Sequence, residues 1–158
     1  PYRRQRQMCI RDRHNAIENW SLYGIEDIAP EYRGYFDGFL AWVHDMKPEV
    51  LGNECRLYHK ALRYAGTADL PCIVSGEAVM VDVKTTSQLQ EMLARVQLEA
   101  YVKGFDSHGV QFDGKAILHL RRDGTYKYEP YPLRDPDAWR VFGALLTVHG
   151  YMQKFKNR

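Results

Sequence analysis

The chain has 158 residues, with 22 lysines and arginines against 20 aspartates and glutamates, and three cysteines. That length suits one domain with a real core, and a net charge of +2 neither identifies a nucleic-acid binder nor excludes a basic face opposite an acidic site. An odd number of cysteines without CxxC spacing suits reduced thiols in a cytoplasmic protein better than a disulfide framework or a zinc site. No apolar run approaches the roughly eighteen residues of a membrane span, and no secretory-type apolar segment opens the chain, so a cytoplasmic protein that does not engage a membrane is expected.

Residues 1–13, "PYRRQRQMCIRDR", are basic and polar without periodic apolar positions, and are expected to be an arm outside the fold or translated adapter sequence at a truncated gene end. A single domain is expected over 14–158. From His14 the spacing of Ile17 and Trp20 predicts a short helix ending near Gly24. A second helix follows in "PEYRGYFDGFLAWVHDM", where Pro30 fits a first turn and Tyr32, Tyr35, Phe36, Phe39 and Val43 form a core-facing stripe. Pro48 stops it. Alternation around Cys55 and Leu57, Gly66 and the Ser75-Gly76 pair predict three sequential antiparallel strands over 54–84.

"SQLQEMLARVQLEAYVKGF" has Leu89, Leu93, Val96, Ala100 and Phe105 at helical spacing. Two strands are predicted on either side of Asp123-Gly124, a hairpin signal, and Asp135-Pro136 opens a last helix with a basic end that suits its dipole. The expected fold class is α/β (α+β), with a mixed central sheet flanked by helices.

Within "AGTADLPCIVSGEAVMVDVKTT", Ala65 to Thr86, charged groups interrupt an apolar strand. Side chains alternate along a strand, so Asp82 and Lys84 share one face, and antiparallel pairing brings Asp69 opposite the same point. Two carboxylates and a lysine can hold Mg²⁺ or Mn²⁺ through oxygen ligands and orient a water for attack on a phosphate. An i, i+2 Asp–Lys pair alone reads equally as a surface ion pair. In the following helix Gln97 and Tyr101, four apart, share a face near the lysine end of the strand.

The order "GTAD", "VDVKT", "QLEAY" resembles the PD-(D/E)xK nuclease superfamily, within it the RecB-like exonucleases, in motifs spanning 14 to about 105. The resemblance implies a restriction-endonuclease-like core and a metal-dependent deoxyribonuclease, an exonuclease of phage or prophage type in DNA recombination, repair or processing. It implies Asp69 and Asp82 as metal ligands with the Val83 carbonyl, Lys84 serving the water, and Gln97 and Tyr101 contacting the DNA strand. "HNAIE" implies His14 as a further ligand with Glu18 one turn behind it, although the glycine that usually precedes the histidine is missing. Glu54 stands where superfamily members often carry an acid; it reads as a ligand, a group supporting the ligands, or an exposed strand glutamate.

Thr85 and Thr86 bind a phosphate oxygen or cap the next helix. Lys103, Lys115, Arg121, Arg122 and Lys127 form either a phosphate-contacting rim or a solvated edge. The remaining histidines have no zinc spacing, no HExxH or Walker A sequence occurs, and three cysteines are too few for the iron–sulfur cluster of some relatives. DNA is the expected partner, with a recombination protein or a second copy of the chain left open. Two other readings stand beside the exonuclease: a catalytically inactive nuclease-like DNA-binding module, and a restriction endonuclease, for which the chain offers no inserted base-reading segment.

Overall fold

The computed structural model describes residues 2–156, with side chains over 11–155. In chain order it contains helix α1 (Tyr2–Tyr23), a 3-10 turn (Pro30–Tyr32), α2 (Arg33–Met46), strands β1 (Glu49–Val50), β2 (Cys55–Tyr58), β3 (Ala65–Ala68), β4 (Leu70–Val74) and β5 (Glu77–Lys84), then α3 (Glu91–Asp106), β6 (Gly114–Leu120), β7 (Tyr126–Tyr131) and α4 (Pro136–Lys156). The class is mixed α/β: a five-stranded sheet of order β1-β4-β5-β6-β7, with helices on both faces, and a separate two-stranded ribbon of β2 and β3. Among the described residues no helix is long and apolar enough to cross a membrane.

Turn chemistry fixes the sheet. Ser75 and Gly76 both have positive φ, which gives the two-residue reversal that pairs β4 with β5 in register Val74 with Glu77. β5 and β6 run parallel, and parallel neighbours need a crossover, here α3. β7 returns antiparallel to β6 after a turn in which Gly124 has φ +84°.

One face of the sheet packs Val79, Val81 and Val83 of β5 against Phe36, Phe39 and Trp42 of α2 and Ala16 and Ile17 of α1. Each such apolar side chain contributes roughly 1.5–3 kcal/mol when fully buried. α2 comes close enough to the β6–β7 turn that a Cβ on Gly34 would lie 1.8 Å from the Arg122 carbonyl oxygen, so only glycine fits. The opposite face packs Met80 and Ile117 against Ala94, Leu98 and Val102 of α3, with Trp139 and Phe142 of α4 behind.

Several expectations are corrected. The segment 54–84 is not one three-stranded meander, because β2 and β3 pair only with each other and the chain enters the main sheet at β4. The first helix does not begin at His14: α1 is continuous from Tyr2, and Arg13 is buried, its guanidinium 4.3 Å from the Tyr35 ring centroid. The side chains of residues 1–10 lie outside the described residues. Lys115 is no rim residue, since it is buried in an ion pair with Glu99. Leu93, expected in the core stripe of α3, is about half exposed, while Trp42, absent from the predicted stripe of α2, is wholly buried.

Candidate functional site

Asp69 sits at the junction where β3 hands the chain to β4, and its Oδ2 accepts the Val83 N–H at 2.8 Å. Its main-chain carbonyl accepts the Glu54 N–H at 2.9 Å, which helps hold Glu54 at φ +46°, a left-handed conformation costly for a residue with a side chain. Glu54 Oε1 and His14 Nδ1 are then 3.4 Å apart, and His14 Nδ1 is 3.8 Å from Asp69 Oδ1. α1, the loop before β2 and the start of β4 thus each supply one group. One potential ligand atom from each of His14, Glu54 and Asp69 lies within 4.8 Å of the others.

Asp82, on the α3 face of β5, is wholly buried. Lys84 Nζ is 2.6 Å from its Oδ2, an ion pair in which the ammonium is the close partner of the buried carboxylate. Lys84 also donates to Gln97 Oε1 at 2.9 Å, and Gln97 Nε2 donates to the Tyr101 hydroxyl. The i, i+4 spacing on α3 therefore carries a relay from the strand lysine to the tyrosine.

Electrostatically the group is under-neutralised. Burial, then the neighbouring Asp82 charge, pushes the Asp69 carboxyl up to about 7, against the opposing His14, Lys84 and Val83 N–H. Burial raises Asp82 as well, with Lys84 working the other way. For His14, burial favours the neutral ring, but the Glu54 hydrogen bond and the charges of Asp69, Glu54 and Asp82 outweigh it and raise its pKa. Three carboxylates face one lysine and one histidine, and a divalent cation would remove the surplus.

Beside this group lies a cleft of about 620 Å³, lined by His14, Asp69, Val83, Lys84, Gln97 and the segment from Thr85 to Gln90. The structure therefore gathers His14, Asp69, Asp82, Lys84, Gln97 and Tyr101, as the motif order leads one to expect. Asp82 stands outside the three-residue group formed by His14, Glu54 and Asp69. Glu54 is the acid brought next to His14 and Asp69, which excludes a role as a remote exposed strand residue. Glu18 lines a small crevice with His14, Glu54 and Asp69 without joining that group.

Thr85 does not cap the next helix: α3 starts at Glu91 with Gln90 before it, and the buried Thr85 hydroxyl has no partner among the described residues. The Thr86 hydroxyl donates to the Gln88 carbonyl, and His119 Nε2 lies 2.8 Å from the Thr86 carbonyl, so the loop that walls the cleft is tied at two points. Arg13 was missed by sequence reasoning. Its Nη1 donates to the Thr85 carbonyl at 3.1 Å, and nothing in a run of basic residues singles it out.

No family model and no curated protein matches the chain. Among solved structures, the crystal structure of SSO0001 aligns with a TM-score of 0.42 and 14% identity, over 72% of this chain and 57% of that one. This chain thus spans less than two thirds of that protein, and a likeness at this level assigns neither family nor activity.

Proposed function

We propose that the protein is a Mg²⁺- or Mn²⁺-dependent deoxyribonuclease of PD-(D/E)xK type, acting as an exonuclease in DNA recombination, repair or processing. The observation that carries the reading is the gathering of three carboxylates, Glu54, Asp69 and the wholly buried Asp82, around one lysine and one histidine, where His14, Asp69 and Lys84 line a cleft. Carboxylates so gathered are costly unless a further cation offsets their charge. His14, Glu54 and Asp69 fit a hard divalent ion by their nitrogen and oxygen donors, and we assign Asp82, which stands outside that group, as a further ligand on its position beside Asp69 and Lys84. Such an ion would supply Lewis-acid polarisation of a phosphate oxygen and a lowered pKa for water.

The chain's own residues do the rest. Lys84 places its ammonium where charge develops on the attacking oxygen, and Gln97 fixes that ammonium by accepting a hydrogen bond from it. Tyr101 in turn accepts from Gln97 and orients its amide. Ser87 adds an exposed hydroxyl to the cleft lining, suited to a phosphate oxygen. Hydrolysis forms a phosphorus–oxygen bond from water and breaks the bond to the 3′ oxygen, leaving a 5′-phosphate and a 3′-hydroxyl.

The test is digestion of end-labelled linear DNA and closed circular DNA with Mg²⁺, Mn²⁺ or EDTA. Loss of linear DNA alone, abolished by EDTA, is expected. Cutting of the circle would make the enzyme an endonuclease, and binding without cleavage under every metal condition would leave a DNA-binding module.

A further inference from the structure

Beside the charged cleft lies an apolar one of about 580 Å³, walled by Leu57, Tyr64, Val96, Ala100, Tyr101 and Phe142. The two adjoin, because Leu93 and Gln97 border both. Tyr101 joins them chemically: its hydroxyl accepts from Gln97, which holds Lys84, while its ring belongs to the apolar wall. Gly66 lets β3 lie close to that ring, since a Cβ there would come 3.1 Å from Tyr101 Cε1. Among the described residues lining the apolar cleft there is no carboxylate, and its charged or chargeable groups include Arg63 and His149, both exposed.

An apolar, partly aromatic cleft without acids, adjoining a cleft where Lys84 and a bound cation would hold a phosphate, matches the two halves of a nucleotide. A base gains from stacking on aromatic side chains whatever its identity, and its backbone is drawn to arginine. In a duplex the base faces are hidden in the stack, so only an unpaired base can offer one. We propose that the apolar cleft takes an unpaired nucleobase of the strand whose phosphate lies at His14, Asp69 and Lys84, so that single-stranded or frayed DNA is the substrate; this rests on the nuclease reading above.

The experiment uses the full chain and single-stranded oligonucleotides of one sequence, each with one abasic residue moved stepwise along the strand. KM for metal-dependent cleavage is measured for the wild type and for Ala65→Trp and Leu145→Glu, both at exposed positions in the cleft lining. An abasic residue at one position relative to the cut should raise KM about tenfold or more, and Ala65→Trp should raise KM for the intact strand and erase that positional penalty. Leu145→Glu should weaken the intact strand further by repelling its backbone. A flat abasic scan with cleavage retained overturns the proposal and leaves the nuclease standing.

If the wild type cleaves nothing, the nuclease reading fails separately, and fluorescence anisotropy with the same strands decides the cleft: one sensitive position supports base binding, none overturns it. A dimer in sedimentation that Ala65→Trp disrupts while KM stays unchanged would assign the cleft to a second copy and overturn it too.

Discussion

Asp82 and Glu54 show what the site demands of single residues. Asp82 is wholly buried against the Lys84 ammonium, and Glu54 is held in a left-handed backbone conformation. The buried Asp82 charge is a cost that a bound cation would offset, whereas the Glu54 conformation recurs at Lys47, Arg63 and Ser75 and by itself marks no ligand. Asp82→Asn removes one formal charge from the group while keeping the side-chain shape. Mn²⁺ titration by calorimetry should therefore show affinity weakened about tenfold or more, as expected when a charged ligand is neutralised. Unchanged Mn²⁺ binding in that variant would remove Asp82 from the metal centre.

The elements around the site are anchored at their ends. Asp135 precedes α4: its Oδ1 accepts the Ala138 N–H at 3.1 Å and its Oδ2 accepts from Arg95 of α3. Asp135→Ala should cost about 1 kcal/mol, the usual value of a lost N-cap, read by denaturant unfolding. The Ala138 N–H bond, then Arg95, holds the Asp135 carboxyl below its ordinary value despite burial. Its stabilisation is therefore complete above the unfolded value near 3.9 and is lost as pH falls through the lower folded value, so the variant's deficit should shrink in acid.

Local chemistry made such features readable. Ser75-Gly76 and Asp123-Gly124 announced their turns, Asp135-Pro136 its helix, and period-two alternation put Asp82 and Lys84 on one face. Glu54 was left undecided because a positive φ outside glycine has no sequence signal. Lys115 was misplaced because β6 is buried on both faces, and a lysine in such a strand is recognisable only once Glu99 is seen on α3. The pairing of β2 with β3 apart from the main sheet depends on where the chain turns at Asp69, which strand periodicity does not encode.

Across the whole molecule, β5 occupies the middle of the sheet with α1 and α2 on one side and α3 on the other, so the residues at its C-terminal end face groups from α1, the β2 approach and α3 together. The α3 side also carries a fully buried pair, Lys115 of β6 with Glu99 of α3, and Glu99 accepts the Asp135 N–H at 3.2 Å. Glu99→Leu alone strands a buried ammonium and should cost about 3–5 kcal/mol, whereas Glu99→Leu with Lys115→Met should recover most of it. Equal losses in the single and double variants would show that the packing of sheet and helices, rather than the ion pair, sets the cost.

The proposed chemistry turns on Lys84 as the group that serves the attacking water. The most direct measurement compares Lys84→Ala with the wild type in Mg²⁺-dependent digestion of end-labelled linear DNA, with DNA affinity and Mn²⁺ affinity determined on the same preparations. Turnover should fall about a hundredfold or more while both affinities stay within a few-fold. A Lys84→Ala protein that digests DNA at the wild-type rate would contradict the account.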